Sequence, residues 1–210
     1  MNKVVYQKLE ELKDKSVRLE VKKGDCLEYV FSALTPGDFA LDVSVVLHGN
    51  ARARILGAVL TGLSNSVRIN VVTYHQGPAS TSQVLVKGVV GKASYMDFKG
   101  LIKIDPQAQK TEAYLENRIL LLDKPARANT EPALEINAND VKASHGATIG
   151  PIKPEQLFYL QSRGLQLEEA QELLTVGFLE AVADRVEDKA VQDQLRYEIS
   201  RRFGADKLKV

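Results

Sequence analysis

One cysteine, Cys26, stands in 210 residues, so no disulfide framework and no all-cysteine metal site can form within one chain. Neither sign of charge dominates. Lys and Arg number 28 against 27 Asp and Glu, a formal net charge of +1, whereas proteins that bind nucleic acid by bulk charge carry a clear basic excess. No nucleic-acid partner is therefore expected. No apolar run approaches the roughly 20 residues of a membrane span. The opening Met1-Asn2-Lys3-Val4-Val5-Tyr6-Gln7-Lys8 lacks the apolar stretch of a signal peptide. A soluble, cytoplasmic protein with no membrane partner is expected. Several enzyme signatures are missing too: a Gly-rich phosphate loop ending in Lys-Ser or Lys-Thr, G-x-S-x-G, H-E-x-x-H and a C-x-x-C pair. What remains, 44% hydrophobic and 26% charged, suits one or two globular domains that hold a core without staples.

The pattern of apolar residues divides the chain. Val5, Leu9 and Leu12 recur at spacings of four and three between charged residues, which predicts a short N-terminal helix within 1–15. From 16 to 150 the period is two. Leu41, Val43, Val45 and Leu47 alternate with more polar neighbours, as do Val67, Ile69 and Val71, Val84 and Val86, Met96 and Phe98, and Leu134 and Ile136. These read as short half-buried strands recurring about every 11 to 15 residues. Turn signals separate them, among them Gly49-Asn50, Gln76-Gly77-Pro78, Asp105-Pro106 and Asp123-Lys124-Pro125. No helical stretch intervenes, which excludes βαβ architecture. A sandwich, a barrel and a β-helix all remain. The even period and the lack of Asn-Gly hairpin dipeptides favour the β-helix.

Over 151–210 the period becomes 3.6. Pro154 suits a first helical turn, Glu155 the positive end of the dipole, and Gly164 a left-handed cap. Ala170, Leu173, Leu174, Gly177, Phe178 and Ala181 make an apolar stripe on a second helix, and Val191, Leu195 and Ile199 mark a third at 187–202. A unit of this size must lean on the β domain or on a partner.

Few residues offer chemistry. His48 and His75, each beside a turn signal, read as solvated loop histidines. His145 shares a face with Val141 and Ala143, which favours a satisfied core histidine, while Ser144, Gly146 and Ala147 leave room for approach from outside. Glu112, Glu116, Glu131 and Glu135 sit at alternate strand positions and read as a solvated face rather than an acid–base pair. Cys26, near only Lys22 and Lys23, reads as an inert thiol.

The run Gly100-Leu101-Ile102-Lys103-Ile104-Asp105-Pro106, then Asn117-Arg118-Ile119-Leu120-Leu121-Leu122, then Ala128-Asn129-Thr130-Glu131-Pro132-Ala133-Leu134-Glu135-Ile136, resembles the SufB/SufD family of iron–sulfur cluster assembly scaffolds. So do Asp140 to Thr148 and Glu155-Gln156-Leu157-Phe158-Tyr159-Leu160-Gln161-Ser162-Arg163-Gly164. The likeness is dense from about 95 to 182 and weaker from 38 to 95. It implies a mainly β chain with α: a right-handed parallel β-helix core over 16–150 and a small helical domain over 151–210. In that family the β-helices of a SufB-like and a SufD-like subunit pair, the C-terminal helices dock a SufC-type ABC ATPase, and a transient iron–sulfur cluster forms at the subunit interface. The resemblance thus implies a scaffold rather than an enzyme, with ATPase activity in its partner. His145 matches the interface histidine of the SufD branch, and His145-Gly146 stands where the SufB branch usually has His-Glu. A neutral imidazole is a plausible iron ligand when thiolates or carboxylates come from elsewhere.

Three departures accompany the likeness. SufB-like members carry a cysteine near Glu116 to Leu120, and many SufD-like members one at the position of Ala143; this chain has neither. It is also shorter in its N-terminal region than most members, which fits a reduced system or a self-pairing scaffold. His145 is then at most half of a cluster site, and the partner, SufB-like or a second copy, brings the sulfur ligands. ATPase docking is expected on Glu155, Phe158, Arg163, Leu173, Leu174 and Phe178, with Glu168 or Glu169 at the rim. The apolar part of that set suits internal packing equally well. Gln166 is a weak cap and predicts a loose start to the second helix. Two other readings stand beside this one: a self-associating scaffold without a cluster role, and a carbohydrate-active β-helix enzyme. The absence of Trp speaks against the enzyme.

Overall fold

A computed structural model describes residues 2–9, 14–35, 37–62 and 64–203. Among these residues eleven strands precede three helices: β1 Asn2–Lys8, β2 Lys15–Val21, β3 Cys26–Ala33, β4 Phe39–Leu47, β5 Arg52–Thr61, β6 Ser66–His75, β7 Thr81–Val90, β8 Tyr95–Ile104, β9 Thr111–Leu121, β10 Arg127–Ile136, β11 Val141–Pro151, α1 Pro154–Ser162, α2 Leu167–Ala183 and α3 Lys189–Arg202. Odd-numbered strands form one sheet in the order β1-β3-β5-β7-β9-β11, and even-numbered strands a second in the order β10-β8-β6-β4-β2. Every pairing is parallel. The chain therefore winds as a parallel β-solenoid of about five turns, each turn giving one strand to each sheet.

Period-two sequence makes this work. Side chains of alternate residues point to opposite faces of a strand, so one set from each sheet meets in the middle. Tyr29, Ile55, Val84 and Leu115 follow one another along an inward column of the first sheet; Leu41, Ile69, Phe98 and Ile102 fill the interior from the second. All of these are buried, each worth about 1.5–3 kcal/mol of transfer free energy. The register offsets are 24, 26, 29, 31 and 30 residues (Asn2 beside Cys26, Cys26 beside Arg52, Arg52 beside Thr81, Thr81 beside Glu112, Thr111 beside Val141). First-sheet strands lengthen in parallel from 7 residues in β1 to 11 in β9 and β11.

The turns stack as well. Gly24, Asn50, Ala79 and Lys110 occupy equivalent corners and all have positive φ. Each donates its N–H to a carbonyl one coil further on: Gly49 at 3.0 Å, Pro78 at 2.8 Å, Gln109 at 2.8 Å and Asp140 at 2.5 Å. At Gly77 the neighbouring turn comes so close that an added Cβ would lie 2.1 Å from the Gly49 nitrogen, and only glycine fits.

The N-terminal helix expected within 1–15 is not what forms over its first half. Asn2–Lys8 is a strand, paired in parallel with β3; residues 10–13, with Leu12, lie outside the described residues. A two-turn helix is a marginal structure alone, whereas here the backbone groups on one edge of the segment find ladder partners on β3.

α2 and α3 cover the outer face of the first sheet. Val176, Leu179, Val182, Leu195 and Ile199 pack with Val30, Leu56, Ala58, Leu60 and Val89 in a second core. Two buried carboxylates fasten this layer. Glu28 on β3 accepts the N–H groups of Glu187 at 3.0 Å and Asp188 at 3.2 Å, and Glu198 on α3 accepts the hydroxyls of Tyr6 at 2.7 Å and Ser32 at 2.9 Å. Pro154 opens α1 and Gly164 closes it with φ of +97°. The start of α2 is firmer than Gln166 suggests, because the Glu169 carboxylate accepts the Gln166 N–H at 2.8 Å. No helix among the described residues is long and apolar enough to cross a membrane.

Candidate functional site

β11 and β10 are the last strands of their sheets, each with a ladder partner on one side only. Inward positions that are sealed in earlier coils are uncovered here. Leu115 is 2% exposed, whereas its register neighbour on β11, His145, is exposed. Val141 and Ala143 are half-buried, Ala147 is exposed, and Ile149 is 40% exposed. Across the mouth, Ala128, Thr130, Pro132 and Leu134 on β10 are half-buried and Ile136 is exposed. The end of the solenoid is thus a slice through its own core, with one imidazole in it.

His145 has the parity that its sequence position indicates, on the face of Val141 and Ala143, but it is not a satisfied core histidine. Neither ring nitrogen has a hydrogen-bond partner among the described residues, and Ser144, Gly146 and Thr148 beside it are exposed. One coil below, Asn117 is fully buried, donating to the Val86 carbonyl at 3.0 Å and leaving its Oδ1 without a partner.

The other histidines differ. His48, at the end of β4, is half-exposed with Nε2 2.7 Å from Glu20 Oε1. His75, expected in a solvated loop, is fully buried as the last inward residue of β6. Its Nδ1 lies 2.8 Å from the Ser80 hydroxyl and its Nε2 2.9 Å from that of Ser82. Ser80 also donates to the Gly77 carbonyl, so the imidazole donates through Nδ1 and accepts at Nε2. Burial pushes its pKa down to about 4, and the ring is neutral.

The four strand glutamates form ion pairs rather than an acid–base pair. Glu112 meets Lys142 at 2.9 Å, Glu131 meets Lys99 at 3.1 Å, Glu135 meets Lys103 at 2.8 Å, and Glu116 pairs with Arg118. Hydrogen bonds from Asn129 and Lys99 hold the Glu131 carboxyl below its usual range, and the glutamates hold Lys99, Lys103 and Lys142 above theirs. Cys26 is half-buried on the outer side of β3, in register between Asn2 and Arg52. Among the described residues no three His, Cys, Asp or Glu side chains converge to hold a metal ion.

The residues expected to dock a partner separate into two groups. Glu155, Phe158, Arg163 and Leu173 are exposed, Phe158 by 74%. Leu174 is half-buried, and Phe178 packs against the second core, with the Lys87 ammonium 4.7 Å from its ring centroid. Tyr159, which the stripe pattern passes over, is exposed with the Arg163 guanidinium 5.4 Å from its ring. An exposed aromatic pair thus stands on α1, while the second half of α2 is committed to the solenoid.

Comparison with known proteins bears on this arrangement. The SufBD core domain of the SUF iron–sulfur cluster assembly system matches residues 4–178. The iron–sulfur cluster assembly protein SufD of Bacillus subtilis is 33% identical over 178 residues, covering 84% of this chain and 40% of its own. SufD of Escherichia coli is 32% identical over 178 residues, covering 78% and 42%. A SufBD family protein of Synechocystis is 35% identical over 142 residues, covering 68% and 31%. The chain spans about two fifths of the length of the two SufD proteins.

Proposed function

This chain belongs to the SufBD family of iron–sulfur cluster assembly proteins, and from that premise we propose that it is a scaffold subunit whose open solenoid end pairs with a second chain of the same kind. The second chain is SufB-like or identical, and a SufC-type ABC ATPase docks on the helical unit. The observation that carries the reading is the uncovered end with His145 at its head. An edge strand offers unsatisfied N–H and C=O groups, and here it also exposes inward apolar residues such as Ile149. Both deficits are met by continuing the sheets into another subunit. His145 then faces the join as one neutral nitrogen ligand for a transient cluster, with the remaining ligands supplied across it. The cluster is cargo, built and passed on.

The ATPase reading draws on α1. Phe158 and Tyr159 give it an apolar face that stays exposed among the described residues, with Glu155 and Arg163 as polar neighbours. A second reading, self-pairing without a ligand role, is favoured by one observation: no cysteine stands at 116–120 or at 143.

Co-expression with an ABC ATPase of the SUF system tests the scaffold role. A stable complex on gel filtration is expected, and a chain that elutes unshifted beside the ATPase overturns it. For the ligand role, the reconstituted complex of His145→Ala is assayed for iron and sulfide. Reduced loading is expected, and loading equal to the parent leaves the self-pairing scaffold as the surviving reading.

A further inference from the structure

The C-terminal end of α3 meets the strand ends of the first sheet, and two cavities adjoin there with Arg202 in the lining of both. The first, of about 210 Å³, is polar. Lys8, Arg201 and Arg202 line it with Ser32 and a single carboxylate, Glu198. That carboxylate is already engaged, by the hydroxyls of Tyr6 and Ser32, by the Gln194 amide and, at 3.8 Å, by the Lys8 ammonium. Arg202 donates its Nε–H to the Leu34 carbonyl at 3.0 Å, and its terminal nitrogens are unengaged among the described residues. The Arg201 guanidinium likewise has no hydrogen bond or ion pair among them. Three cations thus face one carboxylate that is spoken for, and two forked guanidinium groups are left to receive an anion.

The second cavity, of about 260 Å³, is apolar. Leu60, Leu122 and Phe203 wall it, and Gly62 and Gly91 widen it. Its one acid, Asp123, accepts the Lys92 N–H at 2.5 Å. Taken together the two volumes fall among pockets that hold small ligands, about 300–1,000 Å³. A free anion would use the first cavity and leave the second to water; an apolar molecule would do the reverse. Only an amphiphile uses both.

We propose that the two cavities form one site for a short fatty acid, its carboxylate held by Arg201 and Arg202 and its alkyl chain lying against Leu60, Leu122 and Phe203. A guanidinium fork matches a carboxylate with two parallel hydrogen bonds, and each methylene taken out of water adds affinity. A head of single charge suits a cavity that already holds the Glu198 carboxylate better than a phosphate dianion does. The site lies at strand ends away from the solenoid mouth and is independent of the pairing and docking readings above.

The test is a calorimetric titration of the full chain with sodium octanoate below its micellar range, and in separate arms with octanol and octyl phosphate. Saturable one-to-one binding of octanoate is expected, with octanol roughly tenfold weaker or worse. Arg201→Gln, at an exposed position, should weaken octanoate roughly tenfold. Gly62→Leu, where an added Cβ meets no atom within 4 Å, crowds the apolar cavity and should weaken it by a similar factor. Octanol as tight as octanoate overturns the role of the arginines, and octyl phosphate tighter than octanoate overturns the carboxylate assignment. Heat linear in added octanoate, or binding unchanged in both variants, overturns the site.

Discussion

Leu115 and His145 stand in one column of one sheet, a single coil apart, and the coil above is what separates their fates. In the covered coils an inward position is a core position: Tyr29, Ile55, Val84 and Leu115 are sealed. In the last coil the same parity leads to solvent: His145 stands where Leu115 stood one coil below, Ala147 where Asn117 stood, and Ala143 where Ala113 stood. Inwardness in a solenoid is therefore a promise that the next coil, or another chain, has to keep.

Four measurements break or sharpen that contrast. Phe98→Ala, in the covered part, should lower unfolding stability by about 3–5 kcal/mol in urea, whereas Ile149→Ala, 40% exposed at the open end, should cost less than about 1 kcal/mol. Equal losses at both sites would erase the distinction.

Acid should act on the covered coils through His75. Its folded pKa, about 4, lies below the ordinary 6.5, so between these values the unfolded chain binds the proton and the native state does not. The contribution is complete above pH 6.5 and is lost as pH falls toward 4, by roughly 3 kcal/mol in all. Thermal midpoints measured across that window should fall more steeply for the parent than for His75→Asn.

A smaller effect concerns the corners. Ala79 holds a positive φ that Gly24 adopts without strain, so Ala79→Gly should raise stability by about 0.5 kcal/mol in the same urea assay. Last comes Ala147→Arg at the mouth, expected to move stability by no more than about 0.5 kcal/mol while removing the paired species from gel filtration. An unaltered paired species there would detach the open end from assembly.

The strand region was legible because burial on one face writes itself as alternation, and even spacing with no hairpin dipeptides pointed to a solenoid. β1 misled because an edge strand carries no strict alternation: Val4, Val5 and Tyr6 are consecutive, and Val5, Leu9 and Leu12 mimic a helical stripe. His75 misled because the turn signal after it outweighed parity. Counting on from Val67, Ile69, Val71 and Thr73 places it inward, and the two serines that satisfy it stand past the turn. The helical stripe could not tell packing from docking, since Leu173 and Phe178 have the same character and only the position of the first sheet separates them. Lys87 carried no signal at all: its burial arises from α2 folding back over a distant strand.

The lengthening of strands from β1 to β11 makes the solenoid a flared tube rather than a cylinder. Its wide mouth is the one that carries His145, and at about 3.3 Å per residue the 11-residue rim strand runs roughly half as long again as the 7-residue strand at the narrow end. The broadest cross-section of the solenoid thus coincides with the end whose inward residues are uncovered.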